Sequence, residues 1–427
     1  MNHPIDPVIR QRALARSAQL FVDAATMGAD GPGVTRAAFG DGETRLLEHL
    51  EHVGLELGLR PERDLAGNLY LTLPGRNPEL PAILIGSHAD SVPQGGNYDG
   101  LAGILAGIAC VEILQARGEA SSRDVTVAAF RGEENAWFGA QHLGSRAALG
   151  LLDPTVPGQA RRSDSQRTLA DHMRDCGLDA EVLLTHSPHL SAERIACFLE
   201  VHIEQGPVLL QHGLPVGIVS AIRGNVRCPS ARCLGEAGHA GVVPLTLRRD
   251  AVVAAAELVG AMQADWLRRE AAGEDLVLTF GKFHTDASAH AVTTIPGRVD
   301  FAFEARSHTQ PVLDAVRQGL LDEADRIATA RGVHFEFGTW SASAPVAMDA
   351  RLRARLHAAF EALDLKPFEL PSGAGHDAQD FAIAGIPAAM IFIRNENGSH
   401  NPAEAMQLDD FALAVDCLTE LVRGESQ

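Results

Sequence analysis

The chain has 427 residues, of which 46% are hydrophobic and 21% charged. One hydrophobic core seldom serves so long a chain, so the length predicts two domains. Acidic residues outnumber Lys and Arg by 55 to 36, and the formal net charge of −19 excludes a nucleic-acid partner, which needs a basic surface. We also expect no membrane partner and a cytoplasmic location, because the sequence has no apolar run of membrane-spanning length, no secretory signal and no CxxC pair.

Strands alternate with helices over much of the chain. Two helical stretches, Val8–Ala25 and Gly42–Leu59, precede a strand at Ala66–Leu73. Short apolar runs flanked by turn residues predict further strands that are fully buried. These runs are Pro81–Ser87, Asp124–Phe130, Ala196–His202 and Ala388–Arg394, and an apolar helix, Gly100–Arg117, follows the first of them. Such a pattern is typical of an α/β domain with a mostly parallel sheet.

Residues 216–335 show a different order of elements. The pattern predicts strands at Pro215–Ile222, Asn225–Leu234, Leu276–Phe283, Val299–Ala305 and Val333–Thr339, with helices at Arg248–Arg269 and 311–330. A β-α-β-β-α-β order is typical of a small ferredoxin-like α+β domain. We therefore predict that this domain is inserted into a larger domain made of residues 1–215 and 336–427.

The first buried strand leads into a histidine and two aspartates. His88 follows the strand, and Asp99 lies a short loop later, just before the apolar helix. In an open α/β sheet, ligands bind at the carboxyl ends of the strands. Imidazole and carboxylate are the usual ligands of zinc-like metals. Asp90 is placed to orient the ring of His88, and Gly95-Gly96 permits a tight turn that brings Asp99 back toward it.

Three further clusters occupy similar positions. Glu133 and Glu134 follow another strand, where adjacent carboxylates repel each other unless a cation lies nearby. His202 and His400 follow two later strands. Singly, each residue has an ordinary explanation: a buried core histidine, a solvated acidic pair or, for Asp99, a helix cap. Their repeated placement after apolar strands favours a metal site.

Six segments together resemble one enzyme family. They are GSHADSV with GGNYDG, FRGEEN, VHIEQGPVL, GHAGVVPLTLRRDA, SGAGHDA and GSHNPAE. They look like the dinuclear metal-dependent amidohydrolases that include N-carbamoyl-L-amino-acid hydrolases, allantoate amidohydrolases and β-ureidopropionases, within the wider aminoacylase and carboxypeptidase clan. The resemblance implies hydrolysis of a linear amide or ureido C–N bond in a small carboxylate-bearing substrate, with an N-carbamoyl amino acid or related ureido acid favoured.

The resemblance also implies two divalent metal ions per subunit. It assigns the ligands as two pairs and a bridge: His88 with His202, Glu134 with His400, and Asp99 between the two ions. Glu133 would be the general base for a metal-activated water. Zinc is the favoured metal, with manganese, cobalt and nickel as alternatives, because the same nitrogen and oxygen ligands suit all of them.

Other matching positions imply substrate contacts. Gln205 matches a substrate-contacting residue of the carbamoylase-like branch, and the small-residue loop around Gly375 could bring its backbone close to a substrate. Arg306 matches an arginine that binds a substrate carboxylate, for which a bidentate guanidinium is suited. His239 matches a residue that enters a partner subunit's active site and stabilises the oxyanion. The inserted domain would accordingly form a homodimer and act as a lid.

One position departs from the family pattern. Thr293 stands where asparagine is usual, and a hydroxyl cannot present the two groups of an amide, which bears on the choice of substrate. Two alternatives remain open: an N-acyl-amino-acid hydrolase or dipeptidase of the same clan, and a catalytically silent metal-binding protein. His202 and Gln205 argue against the first, where an acidic fourth ligand is usual. Glu133 argues against the second, which needs no base.

Overall fold

The computed structural model describes residues 6–118, 121–289 and 291–426; the first five residues, which belong to the segment inspected for a secretory signal, lie outside these ranges. Within the ranges the helices are α1 (Pro7–Met27), α2 (Asp41–Glu56), α3 (Leu101–Ala116), α4 (Asn135–Phe138), α5 (Leu143–Ala148), α6 (Val156–Gln159), α7 (Leu169–Asp175), α8 (Ala180–Thr185), α9 (Val208–His212), α10 (Ala251–Ala271), α11 (Gln310–Arg331), α12 (Ala350–Ala362), α13 (Asp377–Ile383) and α14 (Leu408–Glu425).

The strands within the same ranges are β1 (Ala29–Asp30), β2 (Gly33–Val34), β3 (Arg60–Arg63), β4 (Leu69–Leu73), β5 (Ala82–His88), β6 (Val125–Phe130), β7 (Ile195–Ile203), β8 (Val216–Ile222), β9 (Gly224–Leu234), β10 (Gly238–His239), β11 (Val277–Thr285), β12 (Thr294–Ile295), β13 (Arg298–Ser307), β14 (His334–Phe337), β15 (Ser341–Ser343), β16 (Val346–Ala347), β17 (Glu369–Ser372), β18 (Ala388–Ile393), β19 (Asn395–Glu396) and β20 (Ala405–Met406).

The chain divides into two compact units. The first consists of Met1–Ser220 with Met348–Gln427, and the second of Ala221–Ala347. The second unit overlaps the segment 216–335 for which the sequence predicts an inserted domain. Its proposed roles as a lid and as a dimerisation domain stay predictions.

The large sheet, whose strands lie mostly in the first unit, is mixed. Its strands run in the order β16-β8-β18-β7-β5-β6-β4-β3, with β17 beside β8. The central strands β18, β7, β5 and β6 are parallel, whereas β8, β4 and β3 pair antiparallel with their neighbours. The prediction of a mostly parallel sheet therefore holds only for its centre. A parallel pair needs a long crossover connection, and the short turn between β3 and β4 cannot supply one.

Helix α3 lies at the centre of the first unit's core. Every residue from Leu101 to Leu114 is buried, as expected for a helix that is apolar on all sides. The helix sits directly against β7, since a Cβ on Gly103 would lie 2.2 Å from the carbonyl oxygen of Val201. This close packing brings the start of α3 to the carboxyl ends of the central strands.

The second unit is built around an antiparallel sheet. Its strands run in the order β11-β13-β9-β14, with β15 also paired to β9. Helices α10 and α11 pack on this sheet, and their apolar residues share one core with it. The elements β9, α10, β11, β13, α11 and β14 thus follow one another in the order β-α-β-β-α-β.

Two further features concern the state of the cysteines and the length of the apolar helices. All six cysteines are free thiols, and burial raises the pKa of Cys110 to about 12, so this thiol stays protonated. None of the helices in the described ranges is both long and apolar enough to cross a bilayer.

Candidate functional site

The predicted metal ligands of the first unit lie at one edge of the sheet. His88 is the last residue of β5, His202 lies near the end of β7, and Glu134 follows β6. These strands are parallel neighbours, so their carboxyl ends point to the same edge. His400 comes from the loop between β19 and β20, which follows β18. Asp99 comes from the loop before α3.

Asp99 stands at the centre of this cluster. Its Oδ1 lies 3.0 Å from His202 Nε2 and 3.4 Å from His88 Nε2. The two ring nitrogens are themselves 3.4 Å apart, and all three side chains are buried. Two nitrogens that face each other and a carboxylate at this distance need a shared proton or cation between them.

The other oxygen of Asp99 faces a second group of residues. Its Oδ2 lies 3.5 Å from His400 Nε2, which is also 3.5 Å from Glu134 Oε1. Gln205 Nε2 donates a hydrogen bond of 2.7 Å to the same Oδ2, and Ser399 Oγ donates another of 2.5 Å. Asp99 thus lies between a pair of histidines on one side and a histidine with a glutamate on the other.

The helix-cap explanation of Asp99 fails in the structure. The residue at the cap position of α3 is Gly100, and no side chain caps this helix end. Gly100 has a φ of 68°, and a Cβ there would lie only 2.4 Å from His88 Cε1. Glycine is required on both grounds, and the backbone can then bring Asp99 against the histidine ring.

The sequence interpretation of Gly95-Gly96 as the glycines that permit a tight turn needs correction. Neither glycine has a positive φ; the left-handed residues of this loop are Gln94 and Gly100. Gly96 is needed instead for space, because a Cβ there would lie 2.0 Å from Glu404 Oε1. Sequence alone could not distinguish the two roles, since Glu404 approaches only in the folded chain.

Asp90 ties His88 to the glutamate loop. Its carboxylate accepts hydrogen bonds from the backbone N–H groups of Glu133, at 3.0 Å, and Glu134, at 3.1 Å. Its Oδ1 also lies 3.4 Å from His88 Nδ1. One buried carboxylate therefore contacts both the loop after β6 and the ring at the end of β5, and it fixes their positions relative to each other.

The charges of the cluster fit divalent cations. Burial, together with the neighbouring carboxylates of Asp99 and Glu133, raises the pKa of Glu134 well above its usual value. Glu134 Oε1 is buried and receives no hydrogen bond from any residue in the described ranges. A cation would satisfy this oxygen and relieve the repulsion. Among the described residues, four sets of donor atoms, each within 4.8 Å of one another, could hold one, and two of these sets consist of predicted ligands alone: His88, Asp99 and His202, and Asp99, Glu134 and His400.

Asp99 and Glu133 are both held in the ionised form. Burial alone would raise the pKa of Asp99, but the imidazoles of His202, His400 and His88 outweigh it and hold the pKa well below its usual value. Burial likewise opposes ionisation of Glu133, yet a contact with His142 and the charge of His88 lower its pKa. A buried carboxylate that stays ionised can accept a proton, as a general base must.

Several residues of the site were missed from sequence. Glu404 accepts a hydrogen bond of 2.9 Å from the backbone N–H of Tyr98, and its Oε2 lies 2.5 Å from Ser399 Oγ, so both contacts brace the Asp99 loop. Ser399 and Glu404 lie inside the GSHNPAE segment, so the motif itself carried a signal. His142 and Asp380 lie in none of the segments that carry the resemblance, and the sequence held no signal for them.

Gln205 and Gly375 lie in the first unit with the cluster. Gln205 contacts Asp99 directly, whereas its Oε1 is buried and without a hydrogen-bond partner among the described residues. Gly375 lies in the loop between β17 and α13. A Cβ on Gly375 would lie 3.1 Å from His142 Nε2, so the loop covers that histidine closely.

The other predicted substrate residues lie in the second unit. His239 is exposed and sits on β10, which pairs with β12 so that His239 is opposite Thr294. The carbonyl oxygen of Thr293 accepts a hydrogen bond of 2.8 Å from the backbone N–H of Ala240, so Thr293 and the His239 loop are neighbours. Arg306 lies near the end of β13, with Nη2 3.0 Å from Glu304 Oε1.

His, Asp and Glu side chains gathered at the carboxyl edge of a parallel-centred α/β sheet could hold divalent cations, as metal-dependent hydrolases require. The family model described as "Peptidase family M20/M25/M40" matches residues 84–424. An N-carbamoyl-L-amino acid amidohydrolase from Geobacillus stearothermophilus is 35% identical over 92% of this chain and 94% of that protein. An allantoate amidohydrolase from Escherichia coli (strain K12) is 34% identical over 84% of this chain and 85% of that protein.

The fold is also similar to that of a solved structure. The hydantoinase/carbamoylase family amidase from Burkholderia ambifaria superposes with a TM-score of 0.86 at 28% identity, and the match covers 97% of this chain and 96% of that one. The chain belongs to peptidase family M20/M25/M40. It is a hydrolase that acts on non-peptide C–N bonds, like its amidohydrolase relatives.

Proposed function

We propose that the protein hydrolyses the ureido C–N bond of an N-carbamoyl amino acid or a related ureido acid. The observation that carries the proposal is the pairing of His202 with Gln205 around Asp99. Because the Asp99 carboxylate is ionised and can only accept, the Gln205 amide must turn its nitrogen toward it. Its Oε1 then remains as a buried acceptor with no donor among the residues that the structure describes. A ureido group can satisfy that acceptor with its N–H donors.

The proposed metal ligands are five side chains of the first unit: His88, His202, Glu134, His400 and Asp99. Two bound divalent cations would polarise the scissile carbonyl and lower the pKa of water. The mixed nitrogen and oxygen donor set suits zinc, which we favour, and also manganese, cobalt and nickel.

Glu133 is the proposed general base. Its ionised carboxylate accepts the proton of the attacking water and then delivers it to the departing nitrogen. With a carbamoyl substrate the reaction consumes one water and yields the free amine, carbon dioxide and ammonia. The Asp90 carboxylate, which holds the backbone of Glu133, keeps the base in place during both proton transfers.

Further substrate contacts are proposed for residues of the second unit. Nδ1 of His239 accepts a 3.0 Å hydrogen bond from the backbone N–H of Gly241, which leaves the Nε2 proton as a donor. In the proposal, the partner subunit's His239 gives this hydrogen bond to the developing oxyanion. Thr293 lies beside it and contacts the substrate through its hydroxyl.

We also propose that the protein is a homodimer formed through the second unit. Four large apolar side chains near His239 are strongly exposed: Val242 at 71%, Leu245 at 82%, Leu247 at 72% and Val292 at 103%. Apolar side chains exposed this densely in one region are typical of a surface that is covered by another chain. The proposed second copy would cover these side chains.

A substrate panel tests the proposed function. Purified protein, loaded in turn with zinc, manganese, cobalt or nickel, is expected to release ammonia from N-carbamoyl and other ureido acids. The same preparation, stripped of metal with a chelator, serves as the background. If it instead released the carboxylic acid from N-acyl amino acids or cleaved dipeptides, and no ammonia appeared, the ureido assignment would be wrong and the N-acyl-amino-acid hydrolase or dipeptidase alternative would be correct.

Arg306 tests the proposed carboxylate contact. Arg306→Ala is expected to raise KM for a ureido acid by at least about tenfold, because charge-assisted hydrogen bonds from a guanidinium contribute about 1.5–3 kcal/mol. KM is measured by ammonia release, and kcat should change less. Arg298→Ala, on the same strand but paired with Asp300, is the matched control and should leave KM unaltered. An unchanged KM in Arg306→Ala would exclude the contact.

A further inference from the structure

A buried histidine joins the proposed base to a second carboxylate. His142 is 2% exposed and lies between α4 and α5. Its Nδ1 is 2.6 Å from Asp380 Oδ2, and its Nε2 is 3.0 Å from Glu133 Oε1. The second contact is an ion pair rather than a hydrogen bond, since Nε2 has no hydrogen-bond partner within the described part of the chain. Catalytic contacts are often imperfectly aligned before substrate binds.

The backbone fixes the position of the same ring. The N–H group of His142 donates a 2.9 Å hydrogen bond to the carbonyl oxygen of Glu133, so His142 contacts Glu133 through both backbone and side chain. His142 has a φ of 56°, which lies in the left-handed region that non-glycine residues seldom adopt. Such strain is kept where the surrounding structure holds a residue in a required place.

The loop above His142 restricts the ring from another side. A Cβ on Gly375 would lie 3.1 Å from Nε2 and 3.3 Å from Cε1 of His142. Asp380, which holds the opposite nitrogen, is itself 3.7 Å from the guanidinium of Arg146. The imidazole is therefore confined by the loop, by Asp380 and by the backbone, and it has one orientation in which both nitrogens face carboxylates.

This arrangement leaves one oxygen of Glu133 for the reaction. Oε1 faces His142, whereas no residue within the described ranges donates a hydrogen bond to Oε2. One set of donor atoms places a Glu133 carboxylate oxygen within 4.8 Å of His88 and Glu134, so the carboxylate borders the proposed metal ligands. A carboxylate held by one oxygen can present the other in a constant direction, which proton transfer requires.

We propose that His142, anchored by Asp380, is a positioning residue that holds the general base Glu133 in its working orientation. The inference rests on the proposed function, in which Glu133 is the base. It extends that function, because neither residue belongs to the segments that identify the family. His142 and Asp380 come from distant parts of the chain, separated by 238 positions.

Substitutions of His142 test the proposal by kinetics. His142→Phe keeps an aromatic ring but removes both ring nitrogens, and kcat for a ureido acid is expected to fall about 100-fold with KM and bound metal unchanged. His142→Gln places an amide N–H near the position of Nε2 and is expected to recover kcat to within about tenfold of the parent enzyme. His172→Phe, at a buried histidine bonded to Ser165, is the matched control and should retain full kcat.

Asp380→Asn covers the case in which His142→Phe fails to fold. The asparagine keeps an acceptor for Nδ1–H but loses the charge, so kcat should fall while KM and metal content hold. Crystal structures of the metal-free proteins give a readout that is independent of activity. In His142→Phe the Glu133 carboxylate should leave its present position, and in His142→Gln it should keep it.

Two results would overturn the proposal. One is a folded His142→Phe or Asp380→Asn variant with the kcat of the parent enzyme. The other is a Glu133 carboxylate that stays in place in His142→Phe. Failure of the proposed function is recognised separately: the parent enzyme would then release no ammonia from any ureido acid, while the crystal structures would still report whether His142 positions Glu133.

Discussion

Replacement of Glu133 by glutamine is expected to lower kcat by about 1,000-fold, which lies within the usual contribution of general acid–base catalysis. The amide cannot accept the proton of the attacking water, although it has nearly the shape of the carboxylate. Metal content should be unchanged, because Glu133 is not among the proposed ligands and its backbone contact with Asp90 does not involve the side chain. Ammonia release measures kcat, and elemental analysis measures the bound metal.

The neighbouring glutamate supplies the control. Glu134→Gln makes the same chemical change one residue later, but Glu134 Oε1 faces His400 Nε2 at 3.5 Å and is a proposed ligand. We expect this variant to lose metal, whereas Glu133→Gln keeps it. Normal turnover in Glu133→Gln would show that another group is the base. Loss of metal in that variant would move Glu133 into the ligand set.

Replacement of Asp99 by alanine is expected to abolish both activity and metal-dependent stabilisation. Asp99 faces His88 and His202 with one oxygen and His400 with the other, so its removal takes a ligand from both proposed ions. Metal that binds only the folded protein stabilises it by about 2.7 kcal/mol at 100 times Kd. The Tm of the parent protein should therefore rise when a divalent metal is added to the metal-free form, and that of Asp99→Ala should not.

A true helix cap gives the matched control for Asp99. Asp349 caps α12 by accepting a hydrogen bond from the backbone N–H of Leu352, and its loss should cost about 1 kcal/mol. Asp349→Ala should thus lower Tm but keep the rise on addition of metal. If Asp99→Ala also kept that rise, with two ions still bound, Asp99 would not bridge the metals.

The elements of both units were largely predictable because their patterns are local. The helix predicted at Arg248–Arg269 is observed as Ala251–Ala271, and the strand predicted at Asp124–Phe130 is observed as Val125–Phe130. Apolar spacing and run length decide such elements within a few residues of chain. The directions of the outer strands were not predictable in this way. They depend on which strand pairs with which, and β4 pairs antiparallel with β6.

The candidate site, too, was predictable only in part. His88, Glu134 and His202 could be assigned to one edge because each ends or follows an apolar strand of the parallel centre. The contact between Asp99 and Ser399 spans 300 positions, and no pattern near either residue indicates it. Gly95-Gly96 shows most clearly what sequence cannot predict. The two glycines are visible in the sequence, but the approach of Glu404, which requires Gly96, is not.

The amino-acid sequence by itself determined which chemistry the protein carries and at which edge of the sheet it lies. Histidines and carboxylates placed after apolar strands must meet wherever those strands run parallel. Only the tertiary structure decided how the groups face one another: Asp99 between the two sets of side chains, and Glu133 held by His142, which is held in turn by Asp380. The physical reason is that ion pairs and hydrogen bonds depend on distances of a few ångströms between side chains, and the packing of α3 and of the loops against the sheet sets those distances.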